Sequence, residues 1–228
     1  MIKKYKHAVF GTSEMADGNM SLNYSSAAAS RRKYFRKVGL DGLPVVSAGL
    51  ADGSRVRIVK NKRSQIIKGV DALITNEKDL ILSITTADCL PVGLYDQDNG
   101  AVGIIHAGWR GLEKGIIGQT ITAMIKEYGT KPRKLKMFVG PFIQKSHFEV
   151  KNDVFSKFKK YPEARMEINF KKYIDLGLVA TIQAGEFGIA KGNINISKKC
   201  THRLRHRYFS FRRDGVLRTM INFIVCRD

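Results

Sequence analysis

Cysteine, proline and acidic side chains are all scarce in this 228-residue chain. The three cysteines, Cys89, Cys200 and Cys226, are odd in number and widely spaced. That excludes a disulfide framework and leaves reduced thiols as the expectation. Five prolines exclude a proline-rich linker, and twenty-one glycines without a repeat point to tight turns and not to a collagen-like tract. No apolar run approaches the roughly 20 residues needed to span a bilayer. The N-terminal MIKKYKHAVFGT has basic residues but lacks the apolar stretch of a signal peptide. The chain therefore reads as soluble, cytoplasmic and without a membrane partner.

Acidic residues number 20 against 40 lysines and arginines, a formal net charge of +20. Such a surface attracts anions: nucleic acid, phosphate esters or free phosphate. A dedicated nucleic-acid site gathers its charge into one stripe with aromatics. Here the basic residues are spread along the chain, densest at Arg31–Lys33, Lys60–Arg63 and His202–Arg213. A uniformly lysine-rich background explains that spread equally well, so nucleic acid is not the favoured partner.

What is present is globular: 43% apolar and 26% charged residues, in a length suited to one domain over 1–228. Residues 6–10, 44–48 and the alternating 54–60 read as strands, and 26–38 as a helix. A core series follows. Leu80–Thr85, Pro91–Tyr95 and Ala101–His106 are short apolar β-rich runs, with Asp96–Gly100 (DQDNG) a turn between the last two. Residues 111–128 carry apolar positions at helical spacing, closed by Gly129. Lys134–Val139 reads as a strand, and residues 153–160 as a helix capped by Asn152. A further helix starts near Asp175 and ends near Phe187–Gly188. Asn193–Ile196 and Leu217–Val225 read as late strands. Hairpins alternate with crossovers, which predicts an α/β (α+β) mixed sheet with helices packed outside.

The densest polar set lies in this core series. Asp88-Cys89 follows one strand, His106 ends another, and Trp109-Arg110-Gly111 leads into a helix. Reactive groups at strand ends beside a helix N-terminus are a common site architecture. Thiolate and imidazole fit two chemistries. Both could ligate zinc, or the histidine could activate Cys89 as a nucleophile. An inert buried thiol is the plain alternative.

The segments TTADCLPVGLYD and GAVGIIHAGWRGL resemble the laccase-domain (YfiH/PgeF-like) family. SLNYS (21–25), VDALIT (70–75), GPFIQKSHFEV (140–150), YIDL (173–176) and CT…YFSFRRDG (200–215) follow in family order. The resemblance implies a layered α/β sandwich like that of cytotoxic-necrotizing-factor-type cysteine hydrolases. It also implies purine nucleoside phosphorylase activity with an adenosine deaminase side activity, and purine nucleosides and phosphate as partners. The implied cofactor is a divalent metal, usually zinc and less often copper, held by His, Cys and His; Cys89 and His106 match two of these ligands. At the first histidine position stands Asp52, whose carboxylate could also bind zinc but which reads equally as part of an Asp-Gly turn. Phe10-Gly11-Thr12-Ser13 lacks a family arginine. His147 occupies a family cysteine position and could be a substitute ligand or a packing residue.

For phosphorolysis, Arg110, Arg212 and Arg213 are phosphate candidates, with at most one of the last two expected to face the site. Asp88 could orient His106, Trp109 could stack on a purine, and Asn23 could position ribose, with Glu149 in a matched motif. A Cys89–His106 thiol hydrolase acting on an amide or peptidoglycan-type fragment, and a degenerate polyanion-binding protein, remain as alternatives. A monomer or weak homodimer is expected. Five histidines are too few for multicopper oxidation of phenols.

Overall fold

The computed structural model describes residues 1–24 and 27–227. Ser25, which closes the SLNYS motif, and Ser26, the predicted start of a helix, lie outside the described residues. In chain order the strands begin β1 (Ile2–Tyr5), β2 (Ala8–Thr12), β3 (Val45–Gly49), β4 (Val56–Ile58) and β5 (Gln65–Lys68). Then come β6 (Ala72–Thr75), β7 (Ile81–Thr86), β8 (Leu90–Asp96), β9 (Val102–Ala107) and β10 (Leu135–Val139). The last are β11 (Glu149–Val150), β12 (Arg165–Ile168), β13 (Lys171–Ile174), β14 (Ile194–Ile196) and β15 (Met220–Cys226). The helices are α1 (Ala27–Lys37), α2 (Trp109–Glu113), α3 (Ile116–Tyr128), α4 (Asn152–Lys157), α5 (Leu176–Glu186) and α6 (Phe211–Asp214).

Two mixed six-stranded sheets are ordered β1-β2-β15-β7-β3-β5 and β14-β10-β8-β9-β6-β4, and a small sheet is ordered β11-β13-β12. The large sheets stack face to face. Phe10, Val46, Leu82 and Ile224 of the first meet Leu73, Val102, Ile104 and Phe138 of the second. The Phe10 and Phe138 rings stack with centroids 6.1 Å apart. On the outer face of the first sheet, Ile81, Ile221 and Phe223 pack on Tyr34 and Phe35 of α1. On the outer face of the second, Ile74 and Ile105 pack on Ile117, Ile121 and Met124 of α3, joined by Val179 and Ala180 of α5. The result is a four-layered α/β/β/α sandwich, the layered class expected. Central strands covered on both faces are buried at every position and carry apolar or small hydroxyl side chains with few charges, which is why β7, β8 and β9 read as unbroken β-rich runs. Each fully buried Leu or Ile there contributes about 1.5–3 kcal/mol.

The β8–β9 hairpin turns through DQDNG, where Asp98 N donates to Asp96 Oδ1 and Ala101 N to Asn99 Oδ1. Its register pairs Leu90 with Ala107 and Pro91 with His106. That sets Cys89, just before β8, beside the end of β9. On the other side, β6 pairs with β9 through Ala72 and Ile105, and His106 N donates to Asp71 O at 2.8 Å. Register alone thus brings positions 71, 89 and 106 together.

Several expectations are corrected. The first predicted strand is shifted to Ala8–Thr12 and forms a hairpin with β1. The predicted helix 111–128 is two helices, α2 and α3, split at Gly115, whose φ of 75° is the left-handed conformation that glycine adopts without strain. Asn152 lies inside α4 and does not cap it. Asp175 does cap α5, its carboxylate accepting from Leu178 N at 2.9 Å. Over 54–60 only Val56–Ile58 is strand. No described helix is long and apolar enough to cross a membrane, and the described cysteines form no disulfide.

Candidate active site

A cavity of ≈ 1410 Å³ has Cys89, His106 and Asp52 in its lining. Its apolar walls include Leu50, Ile66, Trp109, Ile143 and Phe148. Polar groups at its edge include Asn23, Lys68, Arg110, Glu149 and Arg212. An apolar cleft with a few convergent polar groups is the usual form of a small-molecule site.

His106 lies on the same face of β9 as Val102 and Ile104 and is 5% exposed. Its Nδ1 is 3.3 Å from Oδ1 of Asp71, which is completely buried. Cys89 lies nearby, the His106 ring and the Cys89 sulfur both facing Gly108. A Cβ at Gly108 would sit 3.2 Å from Cys89 Sγ and 3.8 Å from His106 Nε2, so sulfur and nitrogen flank one small volume. Burial opposes charge on the imidazole. Electrostatic interaction with Cys89, the Asp71 bond and Asp52 outweigh that and push the His106 pKa up to about 10. Burial likewise raises Asp71, but the bonds from His106 and the Gly53 N–H hold its carboxyl below the ordinary value.

Asp52 stands on the loop after β3, with φ 51°, exposed at the cavity edge. Ligand atoms of Asp52, Asp71 and His106 lie within 4.8 Å of one another. Asp71 is already committed, however: Oδ1 accepts from Ala51 N and faces His106 Nδ1, while Oδ2 accepts from Gly53 N at 2.9 Å. Cys89, His106 and Asp52 all line the cavity, offering it a sulfur, a nitrogen and an oxygen donor, the donor types zinc takes. Gly111 of the HAGWRG motif is needed because a Cβ there would lie 2.8 Å from Gly53 O, and α2 could not abut the Asp52 loop.

The remaining candidates fall into two groups. Asn23, Trp109, Arg110 and Arg212 line the cavity. The Arg110 guanidinium stacks 4.3 Å from the Trp109 ring centroid. Arg212 lies over Phe148 and donates from Nη1 to Glu149 O at 2.8 Å, so part of its donor capacity is spent on the wall. Asp88 does not act as expected, while Arg213 is the one of the two arginines that does not face the site and His147 takes the packing alternative. The Arg213 guanidinium donates to the carbonyls of Thr201, His202 and Tyr208 and pairs with Asp214, so it ties the C-terminal loops together and is not open to phosphate. Asp88 does not orient His106. Its carboxylate accepts from Thr201 Oγ1 (2.6 Å), Ser210 Oγ (3.0 Å) and Arg212 N (2.7 Å) and anchors the segment that presents Arg212. His147 packs on His202, with ring centroids 4.6 Å apart, and its Nδ1 is 3.7 Å from Cys200 Sγ, away from the cavity lining. The residue whose role sequence reasoning missed is Asp71, which stands in the matched segment VDALIT directly before the apolar run.

The model of a family described as multi-copper polyphenol oxidoreductase laccase matches residues 10–227. A purine nucleoside phosphorylase of Bacteroides thetaiotaomicron is 38% identical over 161 residues, 68% of this chain and 60% of the relative. An adenosine deaminase, RL5, from an unknown prokaryotic organism is 31% identical over 68% of this chain and 62% of its own length. The chain thus spans less than two thirds of these relatives. The crystal structure of YlmD from Geobacillus stearothermophilus superposes with a TM-score of 0.92 at 25% identity, covering 98% of this chain and 93% of that one.

Proposed function

Because the chain belongs to the family described as multi-copper polyphenol oxidoreductase laccase, and relatives in sequence are named as nucleoside enzymes, we propose that it is a metal-dependent purine nucleoside phosphorylase with adenosine deaminase side activity, working in the cytoplasm. The observation that carries this reading is a cavity lined by Cys89, His106 and Asp52 and edged by arginines and an indole.

Cys89, His106 and Asp52 would hold the ion. When bound, it supplies a Lewis acid for the base or phosphate and a water of lowered pKa for deamination. Zinc is favoured over copper, since His106 is the one histidine among the described residues that lines the cavity, and multicopper chemistry needs many. Cleavage of the ribose–purine bond develops positive charge on the sugar. Arg110 and the free edge of Arg212 hold phosphate, with Lys68 adding a point charge. Trp109 and Phe148 offer flat apolar surface to the purine, and Asn23 offers an amide to ribose hydroxyls.

One observation favours a second reading. Cys89, His106 and Asp71 form a thiol–imidazole–carboxylate series, the arrangement of a cysteine hydrolase. The test is formation of ribose 1-phosphate from inosine and phosphate by zinc-loaded protein. Turnover abolished in Cys89→Ala and His106→Ala supports the proposal. Phosphate-independent amide cleavage by metal-free protein, with no phosphorolysis, replaces it with the second reading.

A further inference from the structure

Asp52 lies in the loop that leaves β3 of the first sheet and enters β4 of the second, and His106 lies near the end of β9 of the second. One side chain ties the loop to the strand. The Asp71 carboxylate accepts from Ala51 N at 3.3 Å and Gly53 N at 2.9 Å, the two amides that flank Asp52. The same carboxylate faces His106 Nδ1 at 3.3 Å. Its own backbone is fixed in the second sheet, since Asp71 O accepts from His106 N and Asp71 N donates to Arg55 O at 2.9 Å.

We propose that Asp71 is a positioning residue that holds the Asp52 loop in register with His106 on β9. This rests on the reading that Cys89, His106 and Asp52 form the reactive centre. A buried carboxylate with three donors on it is worth keeping only if all three are needed, because an unpaired buried charge is strongly unfavourable. By accepting from Nδ1–H, Asp71 fixes the ring so that Nε2 faces Cys89. By gripping both neighbours of Asp52, it keeps that residue at its positive φ of 51° and its carboxylate at the cavity. An aspartate reaches less far than a histidine, so a ligand at position 52 depends on where its loop is held.

The test compares wild type with Asp71→Asn, an isosteric change that leaves one acceptor where there were two. In metal-free wild type, proton NMR should show a downfield, slowly exchanging His106 Nδ1 proton, and the Gly53 amide should be protected from exchange. In Asp71→Asn, with circular dichroism unchanged, the Nδ1 signal should be lost, Gly53 should exchange faster, and zinc affinity should fall roughly 10–100-fold. A folded variant with the Nδ1 signal and zinc affinity unchanged overturns the proposal. If the variant does not fold, wild type alone decides: an unprotected Gly53 amide or an absent Nδ1 proton overturns it. None of these readouts is turnover. A protein that shows the clamp but forms no ribose 1-phosphate refutes the phosphorylase reading and leaves this one standing.

Discussion

Replacing Asp88 should damage stability much more than its place beside Cys89 suggests. Its carboxylate accepts from Thr201 Oγ1, Ser210 Oγ and Arg212 N, and the residue is 8% exposed. Bonds to a charged acceptor contribute about 1.5–3 kcal/mol each, and donors stranded in a buried site cost about 1–3 kcal/mol each. Allowing for some water entry, Asp88→Ala should lose about 3–5 kcal/mol, a large part of the ~5–15 kcal/mol typical of a folded domain. The backbone provides an internal control. Asp88 has φ 88°, a conformation that disfavours any residue with a Cβ, so Asp88→Gly should be less damaging than Asp88→Ala by about 1 kcal/mol. Urea unfolding followed by circular dichroism gives both values, with a midpoint shift for alanine of about 1 M or more at a slope near 3 kcal/mol/M. An alanine variant within about 0.5 kcal/mol of wild type, or an alanine variant more stable than the glycine one, would refute the reasoning.

Gly108→Ala keeps an allowed backbone, φ −71°, but its Cβ would press to 3.2 Å from Cys89 Sγ; it should fold normally yet lose metal and turnover at least tenfold, read by zinc analysis beside a melting curve. Gly93→Ala would drive a Cβ to 2.6 Å from the Phe10 ring between the sheets and should cost about 1–3 kcal/mol in denaturant unfolding without altering Km. Iodoacetamide should alkylate Cys89 in the native protein well before Cys200 and Cys226, which are 6% and 2% exposed, and zinc should slow that reaction; peptide mapping decides it. In metal-free protein, Asp71 contributes stability present above its ordinary pKa of 3.8 and lost as pH falls through its lower native value. His106 contributes stability present below 6.5 and lost as pH rises through about 10. Melting temperatures across pH should therefore fall at both ends, and Asp71→Asn should flatten the acid limb.

The layered fold was legible because β7, β8 and β9 are buried on both faces and so spell apolar runs, and because DQDNG marks the hairpin between two of them. The small sheet was not legible: RMEI and KKYI are mostly polar and half exposed, and nothing in them separates a strand from a loop. The break at Gly115 was hidden because Leu112, Ile116 and Ile117 keep helical spacing across it. In the site, Cys89, His106, Trp109 and Arg110 stand close in sequence and were found there. Asp71 and Asp88 exchange the roles that sequence proximity suggests. Asp88 adjoins Cys89 in the chain, yet its partners are more than a hundred residues away. Asp71 reaches His106 only through the β6–β9 register, a long-range pairing that no local pattern encodes. Arg212 and Arg213 are equivalent in the sequence; α6 turns one to the cavity and the other to backbone carbonyls.

The most direct test of the account is the zinc content of purified protein, measured for wild type, Cys89→Ser and Asp52→Ala. The account predicts one zinc per chain in wild type and loss of zinc from both variants. A wild type that binds no zinc, or an Asp52→Ala variant that holds it as firmly as wild type, would contradict the claim that Asp52 completes the metal centre with Cys89 and His106.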